Sequence, residues 1–361
     1  MRFCLIVFLM AFSNVGVAAD FFSSARRAIR GHTGVAATWS DNGARFNPAL
    51  LGEAKTSFQM RPLELQFTVG ENLVGTISDV TSHDFSSNDT NNVVSFIRKF
   101  DDKFGDQQYG QFEILPLGTR IFGFELQPFL QNSTYVELRQ PGIPLFDYRA
   151  TSIGGINLAY GYSFKGKLNL GFALRPTFVN EQIGSLTFTD ILDLENLERE
   201  EINRSASGMG VGFDLGVIYS PTADFRLAAK IENTGGLGYL TSDGSPSVLA
   251  QRSSVGAAYR YKMSTWDINL MGDLAGLENQ EGNHPIQLLQ LGGELGRRLF
   301  TRDLDVGVSA GLHNGYGTYG IFADLYLIRF TVGKFTQELT RQPGVRPDPR
   351  ISFSATTSFA F

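Results

Sequence analysis

The sequence predicts an all-β protein, a transmembrane antiparallel β-barrel of about 14 strands with an N-terminal plug segment and a helical outer loop. Three observations support this prediction: an alternating strand at the end of the chain, a succession of similar strands before it, and the lack of a long apolar helix. Only helices and closed barrels pair every backbone group while crossing lipid. After the N-terminal segment no run of roughly 18 apolar residues occurs, so strands are the candidate spanning elements.

Residues 351–361 form the clearest strand pattern, because side chains alternate between the two faces of a strand. One face carries Ile351, Phe353, Ala355, Phe359 and Phe361, and the other carries Ser352, Ser354, Thr356 and Ser358. The length suits a tilted spanning strand of about 9 to 11 residues. An amphipathic edge strand of a soluble sheet is the alternative. The stretch resembles the last strand of bacterial outer-membrane barrels, whose terminal aromatics, here Phe359 and Phe361, belong to the signal read by the barrel-assembly machinery.

The N-terminus has the three parts of a secretory signal peptide. Arg2 is followed by the apolar run 3–12 and by the small residues Ala18 and Ala19, which predicts a signal peptide over residues 1–19. Cys4 is the only cysteine of the chain and lies inside that segment, so the exported protein has no disulfide. The formal charge of −5 and the mean hydropathy of −0.07 fit a barrel with a wet lumen and give no reason to expect a nucleic-acid partner.

Three regions follow from the pattern: the signal peptide, a plug or hatch-like segment over 20–53, and the barrel over 54–361. The plug segment is rich in small residues, including Gly31 and Gly34, and contains the turn Asn47-Pro48-Ala49. Within the barrel, residues 71–108 are too long for a plain loop and show helical spacing around Phe96 and Phe100. A helical hairpin over the barrel rim is the preferred interpretation, and a partner-binding helix is the alternative.

Period-two alternation predicts fourteen strands. They lie near 54–69, 109–116, 118–130, 149–163, 167–180, 207–220, 224–234, 250–263, 264–276, 286–298, 303–312, 316–325, 328–337 and 350–361. Tight connections, such as 164–166 and 221–223, alternate with long ones, such as 181–206 and 338–349. Short periplasmic turns and long outer loops are typical of bacterial barrels. Residues 134–138 are ambiguous, because they have the composition of a further strand.

The inward faces of these strands carry charges of both signs. The predicted lumen-facing residues are Glu125, Lys167, Asn169, Arg175, Asp214, Arg226, Lys230, Asp303 and Asp305. Paired charges favour a closed, hydrogen-bonded interior over a wide pore of a single sign.

No group of residues predicts catalysis or metal binding. Ser82-His83-Asp84 has the residue types of a catalytic triad, but three consecutive residues cannot converge on one another. The acidic run 190–201 matches no calcium loop. We therefore expect no enzyme activity, no metal and no cofactor.

Several motifs resemble the FadL-type, long-chain fatty-acid transporter-like superfamily of outer-membrane barrels. They are the glycines 31 and 34, the Asn47-Pro48-Ala49 motif, the stretch 210–219 and the strand that ends at Glu232-Asn233. The middle of the chain is nearest the TraF-like and PorV-like branches. Leu50 departs from the transporters, in which a glycine is common at that place.

The resemblance implies a Gram-negative outer-membrane protein and leaves two functions open. The first is passive transport of small hydrophobic molecules, which predicts an apolar pocket beneath the outer loops and an opening in the wall or plug. The second is a non-conducting scaffold or shuttle in secretion or conjugation machinery, which predicts a sealed lumen and a large loop surface. The expected partners are outer-membrane lipid, the barrel-assembly machinery, and either a hydrophobic small molecule or secretion and conjugation proteins.

Overall fold

A computed structural model of the chain describes residues 24–36, 43–53, 58–75, 105, 107–139, 145–187, 204–234, 237–240, 246–249, 251–278, 282–299, 304–340 and 342–360. Its wall strands are β1 Phe58–Gly70, β2 Gln107–Ile121, β3 Phe124–Arg139, β4 Leu145–Phe164, β5 Leu168–Thr187, β6 Arg204–Tyr219, β7 Phe225–Glu232, β10 Arg252–Lys262, β11 Trp266–Ala275, β12 Leu289–Arg298, β13 Leu304–His313, β14 Tyr316–Leu325, β15 Ile328–Glu338 and β16 Pro347–Thr357. A separate hairpin joins β8 Leu237–Leu240 to β9 Pro246–Leu249, and β17 Phe359–Ala360 continues β16 past Ser358.

The fourteen wall strands form one closed antiparallel barrel within the described residues. Each strand pairs with its neighbours in chain order, and the additional pairing of β16 with β1 closes the circle. Phe67 of β1 lies opposite Phe353 of β16 at this seam. The predicted antiparallel β-barrel and its number of strands are therefore confirmed.

The wall has an apolar outer face and a polar inner face. In β16, Ile351 and Phe353 are exposed on the outside, whereas Ser352, Ser354 and Thr356 are buried inside. Large apolar side chains are exposed around the wall, among them Phe172, Leu270, Ile321 and Val332. No helix in the described part of the chain is long and apolar enough to cross a membrane.

Several boundaries differ from the sequence-based expectation; β5, for example, continues to Thr187, into residues predicted as a long connection. The chain passes through Leu117 with φ 52° and a register shift, and it turns instead at Phe122 and Gly123, so β2 continues to Ile121. Residues 134–138 are not a separate strand, because β3 continues through them in register with β4. Before β12, the proline at 285 starts a one-turn helix, α2 Pro285–Leu288, which His284 caps.

Residues 24–36 and 43–53, here called the inner segment, lie inside the barrel. They form the helix α1 Ala25–Ile29 and two 3₁₀ helices, Gly43–Arg45 and Pro48–Glu53. Ser24 caps α1 by accepting a hydrogen bond from the Arg27 amide. Most of these residues are buried. The predicted signal peptide lies outside the described residues, as does most of the predicted helical loop, of which residues 71–75 are helical.

Candidate functional site

Asn47 joins the two halves of the inner segment to the wall. Its Nδ2 donates to the Val35 carbonyl at 2.9 Å and to the Ala229 carbonyl of β7 at 3.4 Å. Its Oδ1 accepts from the Ala49 amide at 3.0 Å, which holds the start of the 3₁₀ helix that Pro48 opens. The wall makes room with Gly216, where an added Cβ would lie 2.0 Å from Asn47 Oδ1. The Asn47-Pro48-Ala49 motif is thus an anchor between chain segments.

Glycines allow the inner segment to lie with its backbone against the wall. Gly31 has φ +71°, and a Cβ there would lie 2.0 Å from the Leu291 carbonyl oxygen. Gly34 donates its amide to Asp273 Oδ2 at 2.6 Å. On the opposite wall, a Cβ on Gly171 would lie 2.3 Å from the Ala49 amide nitrogen. A side chain larger than hydrogen at Gly31 or Gly171 would push the inner segment away from the strands.

Ion pairs connect the inner segment to several sides of the barrel. Arg26 lies 2.8 Å from Glu294 of β12 and 3.3 Å from Asp324 of β14. Arg45 pairs with Glu113 of β2. On the far side, Glu53 pairs with Arg226 of β7 and accepts from Asn169 Nδ2 of β5 at 3.0 Å. All of these groups are buried or half-buried, so each cation depends on its partner carboxylate.

Most of the described residues that were predicted to face the lumen are buried on its inner surface. Glu125 lies 2.5 Å from Arg61. Arg175 lies 3.0 Å from Asp214 and 2.7 Å from Asn233 Oδ1.

Of three further residues that were predicted to face the lumen, one lies inside the barrel and two lie at or near its rim. Lys230 pairs with Glu232 inside the barrel. Lys167 does not face the lumen, because the tight turn at Lys165 and Gly166, both at positive φ, places it exposed at the rim. Asp305 also lies near the rim, with its side chain 40% exposed and 3.4 Å from Arg298. Asp303 and Phe361 lie outside the described residues.

One part of the lumen is apolar. A buried cluster, here called the lumen patch, joins one residue of the inner segment to one inward residue from each of β2, β3, β4 and β5. Its members are Phe46, Leu115, Phe129, Ile153 and Val179. The lumen-facing residues predicted from the sequence are all polar, so they do not include the patch. The alternation itself contained the signal, since Val179 follows the inward Thr177 by two residues and Phe129 follows Gln127 by two.

The wall beside the lumen patch is thin, and prolines interrupt it. Two glycines of β4, Gly154 and Gly155, form what we call the thin wall. A Cβ on Gly155 would lie 3.1 Å from the Phe129 ring on the inside, and a Cβ on Gly154 would lie 2.3 Å from the Phe178 ring on the outside. Only backbone separates these two aromatic rings.

Prolines weaken the ladder of hydrogen bonds around the thin wall, because proline has no amide hydrogen to donate. Pro128 of β3 and Pro176 of β5 lie in the strands beside it, and Pro116 lies one strand further, in β2. The β2–β3 register shifts between Ile114 and Thr119. Pairing between β4 and β5 skips the two residues after Gly155.

Histidines inside the barrel form a stacked pair away from the lumen patch. The rings of His32 and His313 have centroids 3.8 Å apart, and Phe335 packs edge-on against His32. Within the described residues, no three histidine, cysteine, aspartate or glutamate side chains are grouped so that they could hold a metal ion.

Comparison with known proteins shows a likeness of fold. No family model matches the chain, and no curated protein matches it. Among solved structures, the toluene transporter TbuX of Ralstonia pickettii is 12% identical with a TM-score of 0.51, and the TodX deltaS2 mutant monoaromatic hydrocarbon channel is 12% identical with a TM-score of 0.52. The TodX deltaS2S3 mutant is 13% identical with a TM-score of 0.51. Each comparison covers 94% of this chain and 98% of the other.

At such low identity the likeness shows the barrel fold alone. The assignment to the TraF-like and PorV-like branches stays a prediction.

Proposed function

We propose that this protein is an outer-membrane barrel that passes small hydrophobic molecules passively from its lumen into the surrounding lipid through the thin wall. The proposal rests on the position of the lumen patch, which lies directly behind Gly154 and Gly155. An apolar molecule that leaves the patch passes the Phe129 ring, the backbone of Gly154 and Gly155, and the Phe178 ring, and it then reaches lipid. A concentration gradient is sufficient to drive such a step.

Charge favours this sideways route over one straight down the lumen. The inner segment is held by the pairs of Arg26 with Glu294 and Asp324, Arg45 with Glu113, and Glu53 with Arg226. Breaking a buried pair leaves an uncompensated charge and costs about 3–5 kcal/mol. An apolar ligand gains only about 25 cal/mol per Å² of buried surface and cannot offset several broken pairs. The ligand therefore follows the patch, which contains no charged side chain.

The fold likeness supports the class of substrate. TbuX is described as a toluene transporter, and the TodX variants are described as monoaromatic hydrocarbon channels. We extend a preference for small apolar molecules to this chain because Phe46 and Phe129 line its patch. Aromatic side chains make favourable offset and edge contacts with aromatic ligands.

A reversible cross-link tests the route. Pro128 and Ile156 face each other across β3 and β4 beside the thin wall, and Cys4, in the predicted signal peptide, is the only native cysteine. Oxidation of a Pro128→Cys/Ile156→Cys variant should slow the uptake of radiolabelled toluene by Gram-negative cells that express it, and a reductant should restore uptake. The matched control joins Leu295→Cys to Val308→Cys, a directly opposed pair on β12 and β13. Equal uptake by the oxidised test and control variants would contradict a route through the thin wall.

A second candidate is a non-conducting scaffold or shuttle for secretion or conjugation proteins. The observation that favours it is the network of pairs between the inner segment and the wall, which fits a sealed interior. Native mass spectrometry of the protein extracted from its own membranes distinguishes the two functions. A releasable hydrophobic compound supports transport, whereas a co-purified protein supports the scaffold and directs attention to the connection between β1 and β2 and the connection between β5 and β6.

A further inference from the structure

We infer that the outer face of β11–β16 holds one anionic phospholipid of the periplasmic leaflet, with an acyl chain in a groove of the wall and the phosphate at Arg297. This site lies away from the thin wall and is independent of the transport route. The groove has a volume of about 600 Å³ and a lining that is almost entirely apolar.

The shape of the groove follows from a row of residues on successive strands, each directly opposite the next in the sheet register. Trp266 lies opposite Arg297, Arg297 opposite Val306, Val306 opposite Ala323, and Ala323 opposite Phe330. The small residues Val306 and Ala323 therefore form a depression between two bulky borders. The next row into the membrane, with Leu295, Val308, Ile321 and Val332, continues the apolar lining.

The polar end of the groove is the guanidinium of Arg297. It lies 5.1 Å from the centre of the Trp266 ring and is exposed. The adjacent Arg298 has a carboxylate partner in Asp305, but within the described residues no carboxylate pairs with Arg297. Tryptophan and arginine are typical of the membrane–water interface, and a guanidinium fits a phosphate with two parallel hydrogen bonds. An anionic headgroup therefore complements this end of the groove.

The position of Arg297 selects a phospholipid. Arg297 lies near the end of β12, beside the connection to β13, at the same end of the barrel as the tight turns at 165–167 and 326–327. Tight turns lie on the periplasmic side of bacterial barrels. Phospholipids form that leaflet of an outer membrane. Every outward strand face meets acyl chains, so the specificity comes from the depression and from the charge.

Native mass spectrometry of the full-length protein in mild detergent tests the site. Phosphatidylglycerol is added and compared with zwitterionic phosphatidylcholine that has the same acyl chains. We expect one phosphatidylglycerol per barrel, and Arg297→Gln should lower its retention about fivefold, the factor for one basic residue at an anionic surface. Ala323→Trp should fill the groove and remove the retained lipid of either headgroup.

A matched control distinguishes this site from general contact with lipid. Lys165 lies 5.3 Å over the Phe164 ring at the turn between β4 and β5, so it also combines a cation with an aromatic ring. Lys165→Gln should leave retention unchanged. Equal loss in Lys165→Gln, or wild-type retention in both groove variants, would overturn the inference. Folding is verified by the faster migration of unheated barrels in SDS gels, and Ala323→Leu replaces Ala323→Trp if the larger side chain prevents folding.

Discussion

At the scale of the residue, Asn47 acts through both ends of its amide. Asn47→Ala removes the bonds to the carbonyl of Val35 and to the amide of Ala49, and both backbone groups are buried. Leaving a buried polar group unpaired costs about 1–3 kcal/mol, so the free energy of unfolding in urea should fall by about that amount. Asn47→Asp should cost more, because it places a carboxylate against the carbonyl oxygen of Val35. Asn180→Ala, at a half-buried position of β5, is the control, and equal stability of all three variants would contradict the anchoring role.

His32 makes the stability depend on pH. Burial, together with the positive charges of Arg27 and Arg350, holds the pKa of His32 well below its usual value of 6.5. The folded protein therefore keeps the ring neutral while the unfolded chain takes up a proton, so stability is lost as the pH falls below about 6.5. One proton contributes about 1.4 kcal/mol per pH unit. Urea unfolding at pH 7.5 and pH 5.5 should show a smaller loss in His32→Gln than in the wild type. The same loss in both proteins would show that His32 does not contribute.

At the scale of the element, local patterns predict the strands well and their junctions less well. The alternation of side chains around Phe172 and Phe353 depends only on the two-residue period of a strand, which is a local property. The alternation predicts a break between strands 109–116 and 118–130, yet the ladder continues past a bulge to Ile121. A bulge and a turn require the same backbone conformation over one or two residues, so the sequence alone does not distinguish them.

At the scale of the whole molecule, the contents of the lumen are only partly predictable. Charges of both signs on inward faces predict pairing, but not which residue is paired with which. Arg26 and Glu294 are 268 positions apart, so only the closed barrel brings them together. The lumen patch has the same origin, because Phe46 and Val179 meet only when β2 to β5 curve around the inner segment.

The inner segment should prove to be part of the core of the barrel. Deleting residues 24–53 removes the inner-segment partners of Glu113, Asp273, Glu294 and Arg226. One broken buried pair costs about 3–5 kcal/mol, whereas a whole domain is stable by only about 5–15 kcal/mol. The deletion should therefore remove most of the folded, faster-migrating band of unheated samples in SDS gels.

A second deletion variant separates charge from packing. Changing the same four residues to Glu113→Gln, Asp273→Asn, Glu294→Gln and Arg226→Gln in the deletion background should restore part of the folded band, because no uncompensated charge then remains at these positions. A deletion variant as stable as the full chain would show that the inner segment is a removable hatch. A segment held by buried charges and by backbone contacts at Gly31 and Gly171 is costly to displace, and this cost favours a ligand route through the thin wall.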